Sequence, residues 1–275
     1  MTSLTKRTLT TFIGVPLVAI ITLLPYYNNI AFNILLFTVS LIGSYELKNL
    51  LNKKSNVKLL LPFYVPSLLV PLTYVTHLYY NTSIVMEMFF ILLIVAFAIE
   101  IKYGEKDNFK SSIDRLLSTT FLIVYPNIFA ASFVSITFLN NANYLILIFL
   151  LVVFSSDIFA YIFGMLFGKN NRGIVKVSPN KSLVGFIAGI IVPALIMSFF
   201  AHTSILNMEF YEGFILGTLL AIAAIAGDLI ESVLKRSANI KDSGKLIPGR
   251  GGMLDSIDSI VVALPIYIAA IKLLC

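Results

Sequence analysis

Acidic and basic side chains of this 275-residue chain concentrate between Gly227 and Ser259. One stretch carries four polar residues at positions i, i+3, i+4 and i+7, which share one face of a helix: Asp228, Glu231, Ser232 and Lys235. A second stretch repeats the spacing i, i+3 and i+4 with Asp255, Asp258 and Ser259. The spacing therefore predicts two helices that each present carboxylates on one side.

The segment between these helices joins cations to glycines. It carries Lys241, Asp242, Lys245 and Arg250, the last within P-G-R-G-G, whose glycines predict a flexible backbone. Paired carboxylates without histidine are ligands of hard cations such as Mg²⁺, and adjacent cations and glycines suit phosphate oxygens. The pattern indicates metal-dependent phosphoryl or nucleotidyl transfer. A salt-bridged loop between two membrane spans is the alternative, and it leaves four acids near bilayer depth unexplained.

Two weaker constellations precede this region. Asp157 lies inside an apolar stretch, where a carboxylate costs about 2.5–3.5 kcal/mol, so it should face a polar cavity or a partner. It is followed by a small-residue stripe that predicts close helix packing, at Ala160, Gly164 and Gly168. The loop S-P-N-K-S places Ser178, Lys181 and Ser182 before the next apolar run. Ser182 is predicted to cap that helix, and Lys181 either binds phosphate or only sets topology.

The whole composition is that of a membrane protein. Hydrophobic residues make up 58% of the chain and charged residues 12%, with a mean hydropathy of +0.92, whereas a soluble domain carries about 25% charged residues. This balance argues against a soluble enzyme and against a nucleic-acid-binding partner. Two histidines and the single Cys275 argue against a metal site built on His or Cys.

Continuous apolar runs predict an all-α polytopic protein with about nine transmembrane helices. The predicted spans are residues 9–25, 30–45, 59–77, 83–100, 116–138, 143–166, 184–202, 212–231 and 257–274. Basic residues, beginning with Lys6 and Arg7, fall in alternate loops, and of 20 Lys and Arg only Lys272 lies on the other side. The positive-inside rule then predicts a cytoplasmic N-terminus and an outer C-terminus. Glu46 and Glu87, near span ends, are interpreted as interfacial residues.

Three motifs resemble those of the phosphatidate cytidylyltransferase, or CDP-diacylglycerol synthase, family. The run S-V-L-K-R-S-A-N-I-K-D-S-G-K-L-I-P-G-R-G-G-M-L-D-S-I-D-S is similar to that family's S-x-x-K-R-x4-K-D followed by P-G-H-G-G-x-x-D-R-x-D. The loop S-P-N-K-S-L-V-G-F resembles S-P-K-K-T-W-E-G-F, and the Asp157 segment resembles D-[ST]-x-A-Y-x-x-G-x-x-F-G-K. The resemblance runs from about Ser155 to the C-terminus; upstream only R-x-x-T near Arg7 and Glu46 support it.

The resemblance implies transfer of CMP from CTP to phosphatidate, giving CDP-diacylglycerol and pyrophosphate for phospholipid synthesis. It implies Mg²⁺ as the cofactor, with K⁺ as an optional second cation. It also implies an active site on the cytoplasmic face of a bacterial inner membrane. Membrane lipid and a second copy of the chain would be further partners. Asp228 and Asp255 would be the metal ligands. The other catalytic positions would be Lys235, Arg236, Lys241, Asp242, Arg250 and Asp258. Substrate would contact Asp157, Ser178, Lys181, Ser182, Glu231 and Ser232.

By this assignment residues 1–140 form a lipid-facing scaffold, and residues 141–275 form the catalytic region with cytoplasmic loops 167–183 and 232–256. The sequence departs from the family's patterns at four positions: Leu183, Val184, Arg250 and Ser256. An inactive relative and a transporter with an acidic cluster on its cytoplasmic side therefore stay open. A CDP-alcohol phosphotransferase does not fit, because its last aspartate would fall on Ser259 and no D-G-x2-A-R precedes it.

Overall fold

The computed structural model describes residues 3–55 and 58–274, and the side chains of residues 13–54 and 58–273. The predictions that involve Lys6, Arg7 and Cys275 lie outside these side chains. Across the described ranges the secondary structure is helical, with two isolated β-bridges and no strand. The α-helices are α1 (Ser3–Thr22), α2 (Tyr26–Ser55), α3 (Leu69–Tyr80), α4 (Val85–Gly104), α5 (Ser112–Leu122), α6 (Phe129–Val134), α7 (Ala142–Phe167), α8 (Leu183–Ala201), α9 (Phe210–Ser237) and α10 (Leu254–Leu274).

Six helical stretches of the described chain are long and apolar enough to cross a membrane. They are Tyr26–Lys54, Ser112–Phe138, Ala142–Phe167, Leu183–Ala201, Phe210–Ser237 and Leu254–Leu273. Each coincides with one of the predicted spans, so the prediction of an all-α integral membrane protein is confirmed. The count of nine spans and the orientation of the termini stay predictions.

The region 59–77 does not form one continuous helix. A 3-10 turn at Pro66–Leu68 leads into α3, which has 12 residues and is therefore about 18 Å long at 1.5 Å per residue. That length is well short of a bilayer core of about 30 Å. Helix α4 has 20 residues, but any 18 consecutive residues of it contain three charged side chains, those of Glu87, Glu100 and Lys102.

Contacts divide the chain into two compact units. Unit 1 comprises Met1–Leu139 and Ser237–Ser256, and unit 2 comprises Asn140–Arg236 and Ile257–Cys275. The segment with P-G-R-G-G thus belongs to the same unit as α2, although the sequence separates them by about 200 residues. The predicted functional division at residue 140 stays a prediction.

Buried polar contacts stabilise the interior of unit 1. Between α5 and α6 the helix opens into a π-helical stretch, Ile123–Ile128, around Pro126, which has no N–H to donate to a regular turn. In this stretch Asn127 is fully buried, accepts hydrogen bonds from Ser40 and Ser44, and donates back to Ser44 at 2.9 Å. Interhelical bonds of this kind are typical of helices that pack within a bilayer.

A buried ion-pair cluster fastens α5 to the end of α4. The Arg115 guanidinium donates to Glu100 at 2.8 Å through Nε and to Asp107 at 2.7 Å. Arg115 and Glu100 are buried, whereas Asp107 lies in a 3-10 turn and is one-third exposed. The hydrogen bond from Arg115 lowers the pKa of Asp107 to about 2.

Small residues let the helices of unit 2 approach closely, as the stripe after Asp157 predicted. A Cβ placed on Gly185 would lie 2.7 Å from the Ala160 carbonyl oxygen, and one on Gly189 would lie 3.0 Å from the Ala160 Cβ. The Ser156 hydroxyl, from α7, donates to the Gly189 carbonyl of α8 at 2.7 Å. Helices α7 and α8 therefore pack with nearly touching backbones.

Candidate active site

The P-G-R-G-G segment forms a tight hairpin in unit 1. The Ile247 N–H donates to the Gly251 carbonyl at 2.8 Å, and the Gly251 N–H donates back to Ile247 at 3.0 Å. Gly249 and Gly251 have φ of +83° and +115°, values that side-chain-bearing residues rarely adopt. The glycines thus permit this tight turn, and the flexibility of the backbone stays a prediction.

Asp255, in the first turn of α10, is held by donors of this segment. Its Oδ2 accepts the Gly252 N–H at 2.7 Å, the Ser243 N–H at 2.9 Å and the Ser243 hydroxyl at 2.9 Å. Asp255 is half-buried. Three donors on one oxygen fix the orientation of the carboxylate before any ligand arrives.

Glu46 of α2 reaches the same segment and is the residue that the sequence interpretation missed. It is 5% exposed and therefore buried within the protein, whereas its interpretation as an interfacial residue concerns its depth in a membrane and stays a prediction. Its Oε1 accepts the Met253 N–H at 2.9 Å, and its Oε2 accepts the Leu254 N–H at 3.0 Å. The available signal was the family resemblance, which Glu46 supports upstream of the three motifs.

The other predicted site residues of unit 1 are more accessible. Lys241 and Asp242 are exposed, and Arg250 is half-buried at the tip of the hairpin. A phosphate group in water could therefore reach the exposed charges of Lys241 and Asp242, and the hairpin presents Arg250 at its tip.

In unit 2, Lys181 forms an ion pair with Asp228. The Lys181 ammonium contacts Asp228 Oδ2, and each of the two side chains is 28% exposed. Lys181 Nζ also lies 5.6 Å from the centroid of the Phe186 ring. A predicted phosphate-binding cation and a predicted metal-binding carboxylate therefore lie in direct contact.

The loop that presents Lys181 is shaped by its own sequence. The Lys181 N–H donates to the Ser178 carbonyl at 3.1 Å, which closes a turn around Pro179. The buried Ser182 follows as the N-cap of α8 and accepts the Gly185 N–H at 3.2 Å. The predicted helix cap is confirmed. Ser178, four positions before Ser182, is half-buried.

Three aspartates from three helices of unit 2 come together. Asp258 of α10 is 5% exposed, and the charges of Asp228 (α9) and Asp157 (α7) act on it, as does that of Lys235. Gly227 makes this approach feasible, because a Cβ there would collide with the Asp258 carbonyl. Asp157 thus does face polar partners, as its position in an apolar stretch required.

The remaining predicted residues of α9 divide between buried and exposed positions. Glu231 is 1% exposed and forms an ion pair with Lys235, one turn further along the helix. Ser232 is half-buried and Arg236 is exposed. The predicted shared face is confirmed for the Glu231–Lys235 pair.

The donor chemistry fits Mg²⁺. Among the described residues no group of three or more His, Cys, Asp or Glu side chains is arranged to hold a metal ion by itself. Mg²⁺ commonly takes one or two protein carboxylates and completes its shell with water and substrate phosphate oxygens. The predicted ligands Asp228 and Asp255 are carboxylates, as are Asp157 and Asp258, so each offers oxygen donors of this type, and binding of a metal ion stays a prediction.

Comparisons with known proteins agree with these motifs. A family model for the cytidylyltransferase family matches residues 5–274. A phosphatidate cytidylyltransferase of Aquifex aeolicus is 32% identical over 155 residues, which cover 56% of this chain and 57% of that protein. A phosphatidate cytidylyltransferase of Haemophilus influenzae is 40% identical over 129 residues, which cover 45% of this chain and 44% of that protein. An uncharacterized protein of Escherichia coli K12 is 34% identical over 139 residues, which cover 50% of this chain and 46% of that protein. The chain thus spans about half the length of the curated relatives it matches. Since the family model covers nearly all of it, the chain belongs to the cytidylyltransferase family.

Proposed function

We propose that this protein is a phosphatidate cytidylyltransferase, which transfers CMP from CTP to phosphatidate and releases pyrophosphate. The observation that carries the proposal is the contact between Lys181 and Asp228, whose charge, like that of Asp157, acts on the buried Asp258. It joins a phosphate-binding cation to cation-binding carboxylates at apolar helices, as a lipid nucleotidyl transfer requires. The relatives named phosphatidate cytidylyltransferase support the same reaction.

In this reaction a phosphate oxygen of phosphatidate attacks the α-phosphorus of CTP. The new P–O bond joins the two phosphates, the bond to the β-phosphate breaks, and the electron pair leaves with pyrophosphate. The attacking oxygen is already anionic near neutral pH, so it requires no strong base. What the protein must supply is charge neutralisation and alignment of two anionic reactants.

The proposed roles follow the sequence signature. Asp228 and Asp255 would hold Mg²⁺, with K⁺ as an optional second cation; bound Mg²⁺ would neutralise phosphate charge. Ser178 and Lys181 would bind the nucleotide, with Asp157, Ser182, Glu231 and Ser232 around the substrates. Lys235, Arg236, Lys241, Asp242, Arg250 and Asp258 would complete the phosphate pocket.

Placement in a bilayer is part of the proposal. The acyl chains of phosphatidate stay among the apolar helices, and CTP arrives from water at the basic loops. The predicted positive-inside orientation puts those loops in the cytoplasm, and the bacterial relatives favour an inner membrane.

The test is conversion of CTP labelled in its cytosine into a lipid-soluble product. Purified protein in detergent micelles is given phosphatidate and Mg²⁺, and pyrophosphate release is measured in parallel. We expect equal amounts of labelled lipid and pyrophosphate, and neither without phosphatidate or with excess EDTA. Pyrophosphate without labelled lipid, or binding of CTP without turnover, would reject the proposal; the second result indicates an inactive relative.

A further inference from the structure

We propose that Glu46 is a positioning residue for the chemistry assigned to Asp255. The inference rests on the proposed function, because it concerns how the nucleotidyl-transfer site is held in shape. Glu46 belongs to α2, in the part of the chain that the motifs leave without a chemical role. Its contacts all fall on the segment that precedes and begins α10.

Glu46 acts as a helix cap supplied from a distant part of the sequence. The first N–H groups of a helix have no partner within the helix, and a negative charge is favoured beside them. Met253 and Leu254 donate these N–H groups to the two oxygens of Glu46, which lies 207 and 208 positions earlier in the sequence. A capping side chain from a neighbouring position would only accept the free N–H groups at the start of the helix. Glu46 accepts them and also connects the start of α10 to α2.

Ser243 couples Glu46 to Asp255. Its hydroxyl oxygen lies 3.0 Å from Glu46 Oε2 and 2.9 Å from Asp255 Oδ2, so its single hydrogen is within reach of both carboxylates. The backbone N–H of Ser243 also donates to Asp255. A displacement of Glu46 would therefore shift the Asp255 carboxylate in two ways, through the Ser243 hydroxyl and through the backbone of residues 253–254.

The segment is shaped around the Glu46 carboxylate. A Cβ on Gly244 would lie 2.8 Å from Glu46 Cδ, and a Cβ on Gly252 would collide with Glu46 Oε2. At both positions a side chain would compete for space with the Glu46 carboxylate, and at Gly252 also with the Ser243 hydroxyl and the Gly244 backbone nitrogen. A group that is 5% exposed and bound at both oxygens acts through the loop it holds, and not by contact with the reactants.

The experiment compares Glu46→Gln with Glu87→Gln in purified protein. Gln keeps the size of Glu, but its NH₂ group would face a backbone N–H donor on one side. Glu87 is a matched control, since it is an exposed acid in the first turn of α4. We expect Glu46→Gln to lower kcat about 100-fold, the effect of misplacing a site by about 1 Å. KM for CTP should stay within about twofold, and Glu87→Gln should match wild type.

A second readout separates positioning from other roles. Hydrogen–deuterium exchange of the amides of residues 252–254 should be at least about tenfold faster in Glu46→Gln than in wild type or the control. A loss of kcat with unchanged exchange would overturn the proposal, because Glu46 would then act on the reactants directly. Wild-type kcat and wild-type exchange in the variant would overturn it as well.

The test stays decisive if Glu46→Gln does not fold or if the wild-type protein is inactive. If Glu46→Gln does not fold, Ser243→Ala replaces it; we expect about a tenfold loss of kcat and faster exchange at Gly252, and no change in either would reject the coupling. If wild-type protein lacks cytidylyl transfer, the proposed function fails by itself. The exchange comparison then still decides whether Glu46 holds the segment.

Discussion

Asp255→Asn separates the structural role of Asp255 from its chemical role. The carboxylate accepts three hydrogen bonds on one oxygen, and the amide oxygen of Asn can accept the same three. Each bond changes from charge-assisted to neutral, a difference of about 1 kcal/mol. Because the donors share one acceptor, we expect the free energy of unfolding to fall by about 1–3 kcal/mol in total. The protein should stay folded and inserted.

The expected effect on activity is larger. If the charge of Asp255 stabilises the transition state, its removal should lower kcat/KM by about 10²–10³-fold, or roughly 2.7–4 kcal/mol. Asp255→Ala should lose the same activity and more stability, since it leaves the Ser243 and Gly252 donors without an acceptor.

The assay measures transfer of labelled CMP to phosphatidate over a range of Mg²⁺ concentrations, together with thermal unfolding in the same detergent. Asp114→Asn is the matched control, because Asp114 is an exposed aspartate in the first turn of α5. The reasoning is refuted if Asp255→Asn keeps more than about a tenth of wild-type kcat/KM with the same Mg²⁺ dependence.

Three other perturbations test separate parts of the site and fold. Lys181→Ala should raise KM for CTP by about tenfold or more and leave KM for phosphatidate nearly unchanged; normal CTP kinetics would reduce the lysine to a topological role. Arg250→Ala should cost about 1.5–3 kcal/mol, or 10–150-fold in kcat/KM, and Arg250→His should recover part of this at pH 6 and lose it by pH 9. If Arg250→Ala has the same kcat/KM as wild type, Arg250 does not bind substrate. Since Arg115 lowers the pKa of Asp107 from 3.8 to about 2, the pair's stabilisation should be complete above about pH 5 and disappear as pH falls through 2. Unfolding midpoints of wild type and Asp107→Asn should therefore differ at pH 5 and converge only below about pH 2, and a constant difference would contradict the assigned pair.

Features that depend on neighbours in sequence were predictable. Each of the six confirmed spans is a continuous apolar run, and the length of such a run is a local property. The Ser182 cap and the Glu231–Lys235 pair likewise follow from spacings of three and four residues. The region 59–77 differs because three prolines, at positions 62, 66 and 71, interrupt an apolar run without changing its hydropathy.

Features that depend on distant partners were not predictable from one sequence. The partners of Glu46 lie about 200 positions away, and a single acid near the end of an apolar run does not show which partner it has. The turn of the hairpin was not predictable for a related reason. Glycine permits many backbone conformations, and the contacts of Gly251 with its surroundings, which include Asp255 and Asp242, are not visible in the sequence.

The bond between Glu46 and Met253 has a consequence for biosynthesis. At a synthesis rate of about 5–20 residues per second, the 207 positions between them correspond to a delay of about 10–40 s. During that interval α2 enters the membrane with a carboxylate whose eventual donors have not yet been translated. Nascent chains that stop before residue 253 should therefore expose this acid to quality-control proteases, whereas chains that extend past residue 254 should protect it.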